Sequence, residues 1–134
     1  MNVIYVADTH ALVFFATGQL RHMSTRCRNI FRRAEEERDR VHVPAVCFFE
    51  IALLLEHGRL RSRIDFDDWH DLVAAHPSLP IERLGWEDVR EARGLTGLVD
   101  PFDRLIAGTA LRLEVPLLTN DERISRSGLV RTVW

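Results

Sequence analysis

The first strand-like run of this chain stops at an acidic residue, and a second run near the end of the chain does the same. Val3-Ile4-Tyr5-Val6-Ala7 leads directly into Asp8, and Val115-Pro116-Leu117-Leu118 leads through Thr119-Asn120 into Asp121. Continuous apolar runs of this length are typical of strands buried on both faces of a parallel sheet. If both strands lie parallel in one open sheet, Asp8 and Asp121 emerge at its carboxyl edge, where α/β folds place their ligands.

Helical patterns separate the strand-like runs along the rest of the chain. Apolar spacing and capping residues predict helices at 9–17, from Ser24 to about Arg40, at 44–58, from Asp65 to Pro77, at 86–93, at 101–112 and from Asp121, with short strands at 41–43, 80–84 and 130–133. This alternation indicates an α/β fold with a central, mostly parallel β-sheet flanked by helices. No Ser-, Gly- or Pro-rich linker interrupts it, so the sequence predicts one domain over residues 1–134.

The composition excludes several classes of chemistry. All 18 basic residues are arginine, so a receiver module, which relies on a lysine beside its phosphorylated aspartate, is disfavoured, and a P-loop motif is absent. No apolar run approaches the roughly 20 residues that cross a bilayer, and no basic leader precedes the first strand, so we expect a cytosolic protein without a membrane partner. Cys27 and Cys47 lie in helical apolar patterns and are expected to be reduced core thiols.

Two further acids occupy positions that a folded chain could bring to the same edge. In Asp100-Pro101-Phe102-Asp103, the first residue suits an N-cap, the proline suits the first helical position and Asp103 falls in the first turn. Glu50 interrupts a helical segment, 44–55, that is otherwise apolar on all sides, which predicts a buried helix. An ionised carboxylate in such a helix needs a cation or a set of hydrogen bonds. We therefore predict a divalent-metal site formed by Asp8, Glu50, Asp103 and Asp121.

Carboxylate oxygens without zinc-type ligands suit a hard cation, either Mg²⁺ or Mn²⁺. Two such ions held about 3.5 to 4 Å apart can orient an attacking water and stabilise the leaving oxygen of a phosphodiester. This chemistry needs no nucleophilic side chain. The Thr119 hydroxyl could position a water or a metal ligand at the same place, or it could cap the helix that begins near Asp121.

Each of these acids also has a purely structural interpretation. Asp103 and Asp121 could cap helices, since acids in a first turn meet free N–H groups. Asp100 is assigned mainly to capping, with a role in the outer shell of the metal as the second interpretation. Glu50 could instead form a buried pair with one of the arginines.

One further acidic cluster and two groups of arginines lie outside the four acids of the predicted metal site. A second acidic cluster consists of Asp65, Asp67, Asp68 and Asp71, and it is interpreted as the solvated first turn of one amphipathic helix. With a net charge of −2, any nucleic-acid contact must come from local arginine groups. Two such groups could bind RNA phosphates or simply balance nearby acids: Arg21, Arg26, Arg28, Arg32 and Arg33, and Arg59, Arg61 and Arg63.

Four motifs in this order resemble those of PIN-domain ribonucleases, specifically the VapC-type toxins of bacterial type II toxin–antitoxin pairs. They are Val6-Ala7-Asp8-Thr9-His10-Ala11-Leu12, Glu50-Ile51-Ala52 followed by Gly58-Arg59-Leu60, Asp100-Pro101-Phe102-Asp103-Arg104-Leu105-Ile106-Ala107, and Leu117-Leu118-Thr119-Asn120-Asp121. The combination spans nearly the whole chain, and its most specific part is the segment 101–107.

The resemblance implies a PIN-like fold and a Mg²⁺ or Mn²⁺ site at Asp8, Glu50, Asp103 and Asp121, with Thr119 close by. It also implies endonucleolytic cleavage of RNA, inhibition of translation and growth, neutralisation by a VapB-type antitoxin and a homodimer. The alternative is a noncatalytic PIN-like module that binds RNA or protein. Such a module would be expected to lack one of the acids, and all four are present in this sequence.

Overall fold

Strands and helices alternate along the chain, as the sequence predicts, in a computed structural model that describes residues 2–134. The strands are β1 (Ile4–Ala7), β2 (Arg40–Pro44), β3 (Ile81–Glu82), β4 (Leu117–Leu118) and β5 (Thr132–Val133). The helices are α1 (Thr9–Ala16), α2 (Thr25–Glu35), α3 (Ala45–Glu56), α4 (Phe66–Ala74), α5 (Trp86–Arg93), α6 (Pro101–Leu113) and α7 (Glu122–Ser127), with a 3₁₀ turn at Leu20–His22.

The strands form one parallel sheet in the order β3-β2-β1-β4-β5. The chain adds β2 and then β3 on one side of β1, and afterwards places β4 and β5 on the other side. The pair β1–β4, with Val6 opposite Leu117, is therefore the point where the strand order reverses. In open α/β sheets, the crevice at the carboxyl ends of such a pair is where ligands bind. The predicted α/β class with a parallel sheet is confirmed, and the condition stated for Asp8 and Asp121, that their two strands lie parallel in one sheet, is met.

The central strands are buried on both faces because helices cover the sheet on each side. Val6, Ala7, Leu117 and Leu118 are fully inaccessible to solvent, which accounts for their uninterrupted apolar sequence. Cys27 and Cys47 are buried and free, as predicted. Burial raises the pKa of the Cys27 thiol to about 12, so it stays protonated and unreactive at neutral pH.

Helix α2 ends earlier than the sequence predicts. The apolar and charged pattern runs to about Arg40, but the helix stops at Glu35, and Glu37 adopts a left-handed backbone with φ 58°. Arg33 in the last turn then forms an ion pair with Asp39 at 2.7 Å, and this pair directs the chain into β2. Charged residues are compatible with both a solvated helix and a solvated turn, so the pattern alone could not place the end.

Helix α3 is not buried all round, contrary to the prediction for segment 44–55. The side facing the core buries Cys47, Phe48 and Ile51, whereas 59% of Phe49 is exposed. Helices α1, α4 and α6 together with β2 pack against this helix, and they leave some of its apolar residues accessible. Within residues 2–134, no helix has both the length and the hydrophobicity needed to span a membrane.

Candidate active site

Asp8 lies at the carboxyl end of β1, where the backbone turns into α1. Its carboxylate caps that helix by accepting a hydrogen bond from the Ala11 N–H at 2.8 Å, and the residue is only 7% exposed. The pKa of Asp8 is raised to about 6, chiefly by burial and to a small extent by Glu50, while hydrogen bonding with Thr119 and Ala11 and the nearby His10 act in the opposite direction. Ionised Asp8 therefore sits in a place where a nearby cation would stabilise it strongly.

Thr119 and Asp121 follow β4, the strand beside β1. The buried Thr119 hydroxyl accepts a hydrogen bond from the Asp121 N–H at 3.0 Å, and its nearness to Asp8 lowers the pKa of that carboxyl. It thus lies beside both acids instead of capping α7. The cap of α7 is Asp121 itself, which accepts from the Arg123 N–H at 2.8 Å. The capping interpretation of Asp121 is confirmed, and the Arg123 side chain holds the pKa of Asp121 below its ordinary value.

Asp100 and Asp103 lie at the start of α6 and have different roles: Asp100 caps the helix, and Asp103 lies in its first turn. Asp100 is the N-cap and accepts hydrogen bonds from the N–H groups of Phe102 at 2.8 Å and Asp103 at 3.1 Å, as predicted. The capping interpretation of Asp103 is wrong, because Asp100 already fills that role. The pKa of Asp103 is raised to about 7, mainly by burial and then by repulsion from Asp100, Asp121 and Glu50. Arg123 acts in the opposite direction. The Asp103 carboxyl thus lies among acids from three different parts of the chain.

Glu50 projects from the second turn of α3 and accepts a hydrogen bond from the Thr9 hydroxyl. No arginine among residues 2–134 lies within ion-pair distance of Glu50, so the predicted alternative of a buried arginine pair is wrong. Its charge contributes to the raised pKa values of both Asp8 and Asp103. Thr9 was missed by the sequence reasoning, although its place directly after Asp8 was a usable signal.

These acids are neighbours, but they do not form a closed cage. Across residues 2–134, no group of three or more His, Cys, Asp or Glu side chains is arranged so that it could hold a metal ion directly. Some of the oxygens have other partners, since Asp121 pairs with Arg123 and Glu50 with Thr9. The donors are carboxylate and hydroxyl oxygens, which fit a hydrated Mg²⁺ or Mn²⁺ that keeps several waters and takes one or two carboxylates. The four-acid ligand set stays a prediction.

A model of the PIN domain matches residues 5–128 of this chain. The chain belongs to the PIN domain family. The match includes every residue of the candidate site, all of β2, β3 and β4, and β1 from its second residue onward. Strand β5 lies outside the matched range. Among curated proteins, none matches the sequence.

Solved structures with the same fold are similar to this PIN domain over almost its whole length. VapBC2 from Rickettsia felis, bound to a DNA fragment from their promoter, has a chain that is 16% identical, with a TM-score of 0.70 over 98% of this chain and 99% of that chain. DNA-bound VapBC from Salmonella typhimurium gives 16% identity and a TM-score of 0.68 over 98% and 97%. PAE2754 from Pyrobaculum aerophilum gives 20% identity and a TM-score of 0.58 over 99% and 92%. At these identities the similarity shows the fold.

Of the other charged clusters in this PIN domain, one arginine group reaches the site. The acids at 65, 67, 68 and 71 are exposed at the start and along the outer face of α4, as the solvated-turn interpretation predicts. In the first of the two arginine groups, two members already form ion pairs: Arg32 with Glu36 and Arg33 with Asp39. Arg59, from the second group, borders a cleft that Glu50 also lines.

Proposed function

We propose that this PIN domain is a Mg²⁺- or Mn²⁺-dependent endoribonuclease and the toxin of a VapBC-type toxin–antitoxin pair. The observation that carries the proposal is that carboxyls from separate parts of the chain meet at the carboxyl edge of the sheet: Glu50 accepts from Thr9, the residue after Asp8, and Arg123 contacts both Asp103 and Asp121. Burial raises the pKa of Asp8 to about 6, and burial with repulsion from the other acids raises that of the partly buried Asp103 to about 7. Both shifts include repulsion from Glu50, and that of Asp103 also includes repulsion from Asp121. A structural acid is normally paired one to one, whereas Arg123 is the one basic side chain of residues 2–134 within ion-pair distance of these four acids, so the group keeps excess negative charge where ligands bind.

A bound divalent ion would supply the charge that stabilises a phosphodiester under attack and a polarised water as the nucleophile. The residues of the chain hold the ligands in place. The start of α1 fixes Asp8, the Thr9 hydroxyl orients Glu50, and the Thr119 hydroxyl holds the turn that carries Asp121. Such fixed orientation is the main contribution that a protein makes to metal-assisted hydrolysis.

The RNA backbone would lie in the cleft beside Glu50. This cleft, of about 160 Å³, is lined by Glu50, Leu53, Leu54, His57, Arg59, Asp100 and Phe102. Arg59 supplies a positive charge for phosphate, and the exposed Phe49 ring, with its centroid 6.0 Å from that of Phe102, offers a surface on which a base can stack. Substrate contact therefore needs no overall positive charge.

The proposed partners are a VapB-type antitoxin and a second copy of this chain, in the cytoplasm. Several of the solved structures with this fold are VapBC complexes by name. The partly exposed apolar side of α3, with Phe49, Leu53 and Leu54, lies at the edge of the site. An amphipathic antitoxin segment packed there would cover the site and neutralise the toxin in one step.

The first prediction concerns the acids. We expect Asp8→Asn and Asp103→Asn each to lower the rate of Mn²⁺-dependent RNA cleavage by at least about 100-fold, since loss of a charge-stabilising group at a reacting centre has effects of this size. Asn can still cap α1 in place of Asp8, so the fold should persist. Cleavage of total cellular RNA by the purified, antitoxin-free protein is the measurement. Asp68→Asn, an exposed acid on α4, is the matched control and should cleave normally.

Calorimetric titration of Mn²⁺ separates this proposal from its alternative. We expect saturable binding that Asp8→Asn and Asp103→Asn weaken and Asp68→Asn does not. If both active-site variants cleave RNA like the unchanged protein, the assignment of the site is wrong. If the unchanged protein binds RNA but neither binds Mn²⁺ nor cleaves, the chain is a noncatalytic RNA-binding PIN module.

A further inference from the structure

Arg123 places a positive charge among the acids of the candidate site. It lies two residues after Asp121 at the start of α7, and its side chain folds back and binds the Asp121 carboxylate. The guanidinium donates from Nε to Oδ1 at 3.2 Å and from Nη2 to Oδ2 at 2.9 Å. The same Nη2 lies 4.0 Å from Oδ2 of Asp103. One side chain thus spans the acids that begin α6 and α7.

This contact acts on both acids, and its effect is stronger on Asp121, which the guanidinium hydrogen-bonds, than on Asp103. The hydrogen bonds from Arg123 are the main reason that the pKa of Asp121 lies below its ordinary value. Arg123 is also the positive group that opposes the repulsion from Asp100, Asp121 and Glu50 at Asp103. The guanidinium therefore performs, in part, the neutralising function that a bound divalent ion would perform.

The contact is held by charge and not by packing. The Arg123 side chain is 78% exposed, while those of Asp103 and Asp121 are 19% and 23% exposed. Exposed ion pairs contribute little to stability, so the guanidinium can leave when a stronger cation arrives. A divalent ion and Arg123 would need the same Asp121 and Asp103 oxygens, and their like charges repel each other.

We propose that Arg123 is an internal counter-ion of the site, which occupies the Asp103–Asp121 pair in the metal-free protein and must be displaced when the divalent ion binds. This inference rests on the proposed metal-dependent function. Arg123 then lowers the affinity of the site for the ion. The more strongly Arg123 binds Asp121, the higher the ion concentration that is needed to fill the site.

The test compares Arg123→Gln with Arg126→Gln in the full chain. Arg126 lies on the same short helix, is 80% exposed and pairs with Glu122 away from the site, so its loss removes an equal charge without freeing either acid. We expect Arg123→Gln to bind Mn²⁺ about fivefold more tightly by calorimetry at pH 8, which is the factor that corresponds to a strong exposed ion pair. Arg126→Gln should bind as the unchanged protein does, and Arg123→Lys, which loses the bidentate contact but keeps the charge, should lie between.

A second measurement follows thermal unfolding and does not depend on RNA cleavage. In EDTA, Arg123→Gln should unfold at a lower temperature than the unchanged protein, because the acids then repel without a counter-ion, and added Mn²⁺ should raise its unfolding temperature by more. If the unchanged protein binds Mn²⁺, Asp103→Asn weakens that binding and Arg123→Gln binds no more tightly than the unchanged protein, the counter-ion role of Arg123 is refuted while the metal site stands. If no form of the protein binds Mn²⁺, the proposed function and this inference both fail.

Discussion

Asp8 and Asp39 are both buried carboxylates, yet their surroundings shift their pKa values in opposite directions. Asp39 is 2% exposed and accepts hydrogen bonds from Arg33, at 2.7 and 3.3 Å, and from the Val3 N–H at 3.0 Å. The Arg33 guanidinium lowers the pKa of Asp39, whereas burial beside other acids raises that of Asp8. A paired buried acid is structural, and an unpaired one at a sheet edge indicates a functional site.

The lowered pKa of Asp39 predicts a pH-dependent contribution to stability. Above the ordinary value of 3.8 both the folded and unfolded chains carry this charge, and the folded state alone gains the ion pair. As pH falls through the lower folded value, Asp39 takes up a proton and that stabilisation disappears. We therefore expect Arg33→Gln to lower the urea midpoint of unfolding at pH 7 and to have much less effect near pH 2.

The matched control for this prediction is Arg32→Gln, which removes an exposed pair with Glu36 on the same helix. Exposed pairs contribute little, so its midpoint should stay close to that of the unchanged protein at both pH values. An Arg33→Gln effect of equal size at pH 7 and pH 2 would show that the side chain acts through packing and not through the charge of Asp39.

At the scale of elements, the close packing of α5 against α6 supports the helix that carries Asp103. A Cβ at Gly108 would lie 2.7 Å from the Asp88 carbonyl oxygen and 3.1 Å from the Ala92 nitrogen, so the two helices meet backbone to backbone there. Arg104 also donates to the Ala92 carbonyl from two of its nitrogens, at 3.0 and 3.1 Å. The start of α6 is thus held by its neighbour as well as by its cap.

This packing predicts that Gly108→Ala destabilises the fold. The added methyl meets backbone atoms that cannot move aside as a flexible side chain could, and overpacking of this kind typically costs about 1 to 3 kcal/mol. Denaturant unfolding measures the loss. Gly94→Ala is the control, because its Cβ would come no closer than 3.6 Å to the nearest atom, and it should change the stability little. Equal stability of the two variants would contradict a close helix contact at Gly108.

At the scale of the whole molecule, large apolar side chains remain accessible on one surface formed by α5 and the segment before α6. Trp86 is 70% exposed, Val89 41% and Val99 94%. Val89 and Val99 border a cleft of about 300 Å³ that also includes Ala92, Pro101 and Leu105. Exposed apolar surfaces of this kind mark interaction sites, and a second copy of the chain packed against this one would form the proposed homodimer.

We expect the unchanged protein to be a dimer by light scattering and Val89→Asp to shift it towards the monomer by at least tenfold in dissociation constant, since a buried unpaired charge opposes association. Phe66→Asp, at a residue on α4 that is 43% exposed, is the control and should leave the dimer intact. A monomeric unchanged protein, or equal disruption by both variants, would argue against this surface as the dimer interface.

The order and type of the elements could be predicted from the sequence, because hydrophobic periodicity, prolines and capping residues act over a few neighbouring positions. Helix α5 has its predicted limits, and the Asp100 cap with Pro101 begins α6 as expected. The end of α2 and the exposed side of α3 were not predicted correctly. Both depend on what the rest of the chain covers, and a local pattern contains no such information.

The sequence by itself determined the α/β class, the parallel arrangement implied by two apolar runs that end in acids, and the family, since its four motifs lie in order along the chain. The tertiary structure decided which oxygens of the site are engaged and by which groups. Thr9 meets Glu50 across 41 residues, and Arg123 reaches Asp103 because α6 and α7 begin at the same edge of the sheet. These contacts depend on strand order and helix placement, which are set by the burial of the whole core and not by any local segment.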